Sequence, residues 1–260
     1  MTAAWNALQT EVTRWRDAGK LVEFWWRDDD ASKPSAAFDR LIGLAQALQS
    51  PLALAVVADG LDPAILAGPL APAYVMQHGA DHSNRAAAGE KKTEFPAHEP
   101  VERALERLCR ARTALESAVP GQAIHVLVPP WNRISSAALL AALPTAGYRG
   151  VSRFGPRPMR LAVPGLVQVN THVDIIDWRG RRGFAAEEIV LAQALGHLQA
   201  KRLGQADSME PTGWLTHHAV HDEACWEFLR RLMSTTAGWD AVRWIRPDFS
   251  APTIFYTSNE

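Results

Sequence analysis

Short apolar runs alternate with helix-period segments along this chain, and that alternation limits its fold more than any other feature. Residues 21–26, 52–57, 73–76, 123–128, 148–152, 166–169, 214–216 and 242–245 read as strands. Between them, apolar positions recur at helical spacing over 3–18, 34–50, 99–118, 135–143, 185–203 and 221–233. Residues 52–57, Leu-Ala-Leu-Ala-Val-Val, are apolar throughout, as a strand covered on both faces would be. Strands separated by helices cannot close as tight hairpins, so they predict a parallel sheet with helices packed outside it. In such folds ligand sites form beyond the carboxyl ends of the strands.

The chemically capable residues fall at those ends. The first strand runs into Arg27-Asp28-Asp29-Asp30. Adjacent carboxylates raise one another's pKa unless a cation or a shared proton offsets the repulsion. One carboxylate on a metal and another acting as a base is a use that repays the cost. The plainer alternative is a solvated acidic turn in which an Asp caps the following helix. The third strand delivers His78, with His82 four residues on, a spacing that lets two imidazoles share one ion. A carboxylate from another strand end completes a two-His, one-Asp set with open positions, as metal-assisted hydrolysis requires. Other strand ends carry Pro129-Pro130-Trp131, His172 and His217-His218.

Composition narrows the function classes. With 47% hydrophobic and 21% charged residues, the chain is an ordinary globular one, and its 260 residues suffice for one barrel-sized domain over 1–260. A net charge of -1 carries no electrostatic footprint for nucleic acid or an anionic membrane. No run approaches the ~18 apolar residues of a membrane span, and Met1-Thr2-Ala3-Ala4-Trp5 does not start a signal peptide. A cytoplasmic setting is therefore expected. The two cysteines, Cys109 and Cys225, lie in amphipathic helical patterns and read as reduced thiols.

Taken in order, these motifs resemble the polysaccharide deacetylases, carbohydrate esterase family four, and specifically a divergent soluble branch of them. Trp26-Arg27-Asp28-Asp29-Asp30 stands where the family has Thr-Phe-Asp-Asp-Gly. Laid residue on residue, the resemblance implies Asp28 as catalytic base and Asp29 as metal ligand; a one-residue shift, to Asp29 and Asp30, is the alternative. His78 and His82 match the spacing of His-Ser/Thr-x-x-His and become the other ligands, with Gly79 in place of the hydroxyl residue. Val128-Pro129-Pro130-Trp131 keeps the proline and aromatic of Arg-x-Pro-Tyr but lacks its arginine, which orients the base; Arg27 and Arg133 are the available substitutes. Asp177-Trp178 is a loose match to the fourth motif. Leu215-Thr216-His217 matches Leu-x-His, making His217 the general acid, with His218 beside it.

The resemblance implies a distorted, seven-stranded (β/α) barrel with outer helices. It also implies a divalent ion, zinc for a two-His, one-Asp set, and hydrolysis of an acyl group from an N-acylated sugar or related small amide. Trp131, Pro130, Arg27, His172 and His218 are the expected substrate contacts. Carbohydrate or a small amide is the expected partner, with no nucleic acid and no membrane; oligomeric state is not legible. A metal-independent glycosidase using Asp28 and Asp30 leaves His78 and His82 unused. A carbohydrate-binding barrel without chemistry is the third reading. Residues 89–95 read as a solvated charge run, and 154–160 as a surface excursion.

Overall fold

The computed structural model describes residues 2–250. Helix α1 (Ala3–Asp17) precedes β1 (Val22–Ala31), and α2 (Ala36–Ala47) leads to β2 (Leu52–Val56) and β3 (Ala73–His78). The chain continues through α3 (Val101–Ala118), β4 (Ala123–Val128), α4 (Ala137–Ala142) and β5 (Gly150–Val151). It then forms β6 (Leu161–Val163), β7 (Leu166–Gln168), β8 (Val173–Asp174), α5 (Glu187–Arg202), β9 (Thr212–Thr216), α6 (Glu223–Ala237) and β10 (Val242–Trp244). The expected helices and strands are present. Two strands lie outside the expectation: β6, a hairpin partner beside the predicted surface excursion, and β8.

One sheet holds all ten strands in the order β6-β7-β5-β4-β3-β2-β1-β9-β8, with β10 added beside β1. Every pairing is parallel except β6 with β7. The two ends of the sheet meet through residues 166–174. That run pairs with β5 at its start, through β7, and with β9 at its end, through β8. At the crossover Thr171 N–H donates to the Arg153 carbonyl and His172 N–H to that of Gly213. The sheet therefore curls into a distorted barrel of seven staves, with β7 and β8 as halves of one stave and β6 and β10 as additions.

Burial separates the inside of the ring from the layer under the helices. Trp25, Ala53, Ala55, Tyr74, Met76, Val126 and Val128 fill the interior. Phe24, Trp26, Leu52, Leu54 and Trp214 face outward and pack with Trp5, Leu41, Leu198 and Phe228 of the helices. Trp25 and Trp26 are core residues on opposite faces, each with its indole N–H satisfied, by the Asn170 carbonyl and the Thr216 hydroxyl. Ser35, not an aspartate, caps α2, accepting from Phe38 N–H. Among the described residues no helix is long and apolar enough to cross a membrane.

Candidate active site

The two faces of β1 decide which of its aspartates can meet. Side chains along a strand alternate, so Arg27 and Asp29 follow Trp25 into the ring while Asp28 follows Trp26 outward. At Asp30 the backbone turns left-handed, with φ 72°, a conformation Asp tolerates better than most residues. Pairing with β2 is interrupted there, between Asp28 and Ala31. The interruption swings Asp30 to the same side as Asp29, and both line a cavity of about 680 Å³ at the carboxyl ends of the strands.

Asp30 meets the histidine pair in that cavity. Its Oδ1 lies 3.1 Å from His78 Nε2 and 3.2 Å from His82 Nε2. Burial acts to raise the Asp30 pKa, but hydrogen bonding and attraction to the two imidazoles prevail and hold it well below the usual carboxylate range. His78 Nδ1 lies 3.0 Å from the Val128 carbonyl, which can only accept, so Nδ1 carries the proton. Burial acts to lower the His78 pKa, but the charges of Asp29 and Asp30 and the hydrogen bond to Asp30 prevail and raise it. As imidazolium, Nε2 donates to Asp30; once that proton leaves, its lone pair and the Asp30 oxygen face each other and can share a cation. Separations just above 3 Å suit neighbouring ligand atoms around one ion at ~2.1 Å. The residues present fit a divalent metal.

Glu94 supports the His82 turn. Its carboxylate accepts from the backbone N–H groups of Ala80 (2.9 Å) and His82 (3.2 Å). It is fully buried, which raises its pKa despite those bonds. Gly79 adopts φ 59°, and a Cβ there would collide with the Glu94 carboxylate and Pro130. Glycine in place of the expected hydroxyl residue is therefore required by this turn, and Glu94 takes up the supporting bonds. The expectation of a solvated charge run over 89–95 is corrected at its end: Thr93, Glu94 and Phe95 are buried. No local signal marks Glu94, because the donors it serves are twelve to fourteen residues away.

Asp29 is held from within its own strand. Arg27 Nε donates to Asp29 Oδ1 at 2.8 Å and Nη2 to Oδ2 at 3.0 Å, and both residues are buried. The remaining guanidinium protons reach Ser152 Oγ (2.7 Å) and Asn132 Oδ1 (2.7 Å). Arg133, the other available arginine, is exposed and donates instead to the Lys92 carbonyl. Across the cavity stands His217, its ring 4.7 Å from that of Trp178 and nearly perpendicular to it. Trp178 Nε1 donates to Asp174 Oδ2 at 2.8 Å, so Asp174-Ile175-Ile176-Asp177-Trp178 brings two residues to the site. Burial raises the Asp174 pKa, and a positive charge on His217 opposes the rise.

Several expected positions lie elsewhere. Asp28 is fully buried outside the ring and accepts from Thr216 Oγ1 (2.6 Å), the His218 backbone N–H (3.0 Å) and His218 Nδ1 (2.5 Å). The carboxylate beside His78 and His82 is that of Asp30, the position named in the one-residue-shifted alternative. His218 faces Asp28 and Phe38 and does not line the cavity, because successive residues of β9 and its continuation point to opposite sides. Pro130 is buried against Gly79, and Arg27 lies beneath Asp29; of the expected contacts only Trp131 lines the wall, 4.5 Å from the His82 ring.

His172 lies at the amino end of β8, far from that wall. With His197 and Glu210 it forms a second group of donor atoms close enough for an ion. Its ring stacks on His197 at 3.5 Å, and its Nδ1 accepts from the Gly213 N–H at 3.0 Å. That bond uses the lone pair of a neutral imidazole, so the proton sits on Nε2, 3.2 Å from Glu210 Oε2. Among the described residues neither His172 Nε2 nor His197 Nε2 makes a hydrogen bond, so this second group is also close enough to hold an ion. Only the first group lines the cavity.

No family model matches the chain, and no curated protein matches it either. Solved structures do. A putative polysaccharide deacetylase from Mycobacterium smegmatis superposes with a TM-score of 0.59 at 15% identity, over 87% of this chain and 87% of that one. A family 4 carbohydrate esterase from Streptomyces lividans, solved with acetate, gives 0.52 at 17%, covering 88% and 98%. A family 4 pseudoenzyme from Bacillus anthracis gives 0.54 at 13%, covering 86% and 63%. The expected resemblance to polysaccharide deacetylases thus holds at the level of the fold, which by itself assigns no chemistry.

Proposed function

We propose that this chain is a metal-dependent deacylase that hydrolyses the acyl amide, acetyl above all, of an N-acylated sugar or related small amide. The observation that carries the reading is the convergence of three groups on one cavity: Asp30 with His78 and His82, Asp29 on Arg27, and His217 near Asp174. The likeness to deacetylase and esterase structures, one of them solved with acetate, supports the same reaction class.

Asp30, His78 and His82 are the residues to hold the ion, which we take to be zinc. When bound, such an ion polarises a carbonyl oxygen and lowers the pKa of water toward ~7. Asp29 takes the proton of the attacking water. Arg27 fixes its carboxylate by two bonds and leaves the anti lone pairs free to accept. The backbone N–H of Trp131, at the cavity wall, supports the negative charge that develops on the carbonyl oxygen. His217 gives a proton to the leaving amine. Trp131 and Trp178 offer flat apolar faces to a sugar ring or an acyl methyl.

The reading takes the chain as one domain and keeps the cytoplasmic setting expected from the sequence. The experiment is release of acetate and free amine from N-acetylated sugars by zinc- or cobalt-loaded protein, beside Asp29→Asn and His217→Gln. Turnover that falls by about a hundredfold or more in both variants supports the assignment. A loaded protein that binds these sugars without turnover favours the non-catalytic alternative, which the pseudoenzyme neighbour illustrates.

A further inference from the structure

Among the described residues, the acidic lining of the cavity is Asp29, Asp30 and Asp174. Arg27 pairs with Asp29, and Asp30 lies against His78 and His82. Lys92, Arg133 and Arg182 also line the cavity; all three are exposed and form its mouth.

Several surface arginines away from the cavity are paired, though others such as Arg103, Arg149 and Arg230 are exposed without a carboxylate partner among the described residues. Arg14 meets Glu11, Arg40 meets Glu223, Arg85 meets Asp81, and Arg231 meets Glu187. Arg181 lies 4.0 Å from Asp222, while its neighbour Arg182 has no carboxylate within that distance among the described residues. Arg182 adopts φ 56° and stands 5.5 Å from the Trp178 ring, on the cavity side. Arg133 donates Nη1 to the Lys92 backbone carbonyl at 3.1 Å, which holds the arginine beside that stretch of the rim. Three uncompensated cations around a reaction cavity, in a chain of net charge -1, mark where a negative ligand is drawn in.

We infer that the substrate carries an anionic group, a phosphate or a carboxylate, beyond its N-acyl sugar, and that Lys92, Arg133 and Arg182 receive it. The inference rests on the deacylase reading and names its substrate class. Guanidinium groups suit either oxyanion. A neutral polymer gains nothing from such a mouth, whereas an anionic sugar gains in capture and in orientation.

The test compares metal-loaded protein on N-acetylglucosamine 1-phosphate, N-acetylmuramic acid and neutral N-acetylglucosamine oligomers, at low and high salt. The anionic substrates should exceed the neutral one in kcat/KM by roughly tenfold or more at low ionic strength. That ratio should shrink severalfold in Arg182→Gln and Arg133→Gln, and on raising the salt to about 0.5 M. The better of the two anions tells phosphate from carboxylate. A ratio near one, or one unmoved by both variants, overturns the inference. If nothing is turned over, the deacylase reading fails separately, and calorimetric binding decides the point. Salt-sensitive binding of the sugar phosphate that weakens in Arg182→Gln sustains an anion site, and no binding to the unmodified protein overturns it.

Discussion

Arg27 and Asp29 stand two residues apart on one strand and face the same way, their side chains joined by two hydrogen bonds of 2.8 and 3.0 Å inside the barrel. On the proposed reading, Arg27 does from within β1 what the arginine absent at Val128 would do. Arg27→Ala should lower kcat by about a hundredfold, through loss of orientation. It should also cost about 3 kcal/mol of stability, because it leaves a buried carboxylate unpaired. Arg27→Lys, which keeps the charge and loses the fork, should fall between. Kinetics beside thermal unfolding separates the two effects, and a kcat within about twofold of the parent in a folded Arg27→Ala protein would remove Arg27 from the site.

Metal content discriminates among the three aspartates. Elemental analysis should find about one ion per chain in the parent, and loss of it in Asp30→Asn, His78→Ala and His82→Ala. Asp29→Asn should keep the ion while losing turnover. Asp28→Asn should keep the ion too, since its carboxylate serves Thr216 and His218. Retention by Asp30→Asn with loss in Asp29→Asn would restore the unshifted reading.

Restoring the hydroxyl residue at the His turn should do harm. Gly79→Ser places a Cβ against Glu94 and Pro130 in a left-handed backbone. The strain should cost about 2 kcal/mol or more and weaken metal retention. Denaturant midpoints measured with and without the ion check both effects. An unchanged midpoint would mean that the turn relaxes freely.

The His172–His197 stack makes stability depend on pH. Burial holds the His197 pKa down at about 2, and burial also lowers that of His172. Both imidazoles are thus neutral in the native state while the unfolded chain takes up protons below about 6.5. Their contribution is fully present above that pH and is lost as the pH falls. From pH 7 to 5, His197 alone should account for about 2 kcal/mol of lost stability. Urea unfolding at the two pH values should show a smaller loss in His197→Asn, and an equal loss would show that His197 titrates in the native state.

Much of the site could be read from the sequence because it rests on spacing and strand ends. The βαβ rhythm placed His78, Trp131 and His217 at the carboxyl end of a parallel sheet, and the i, i+4 histidines are four residues apart however the chain folds. The aspartates were different. Three in a row on a strand that is apolar on both faces contain no sign of which points inward, since Trp25 and Trp26 are equally at home in either layer. Glu94 and Asp174 were hidden for a related reason. Each matters through a partner that only chain folding brings near.

The sequence by itself determined the fold class, the end of the barrel where chemistry gathers and the histidine pair, because periodicity and local spacing are properties of neighbours along the chain. The tertiary structure alone decided that Asp30 joins those histidines, that Asp29 stands on Arg27 and that Asp28 turns away. A strand's facing is set by the layers packed against it, and a single left-handed residue at its end resets the alternation.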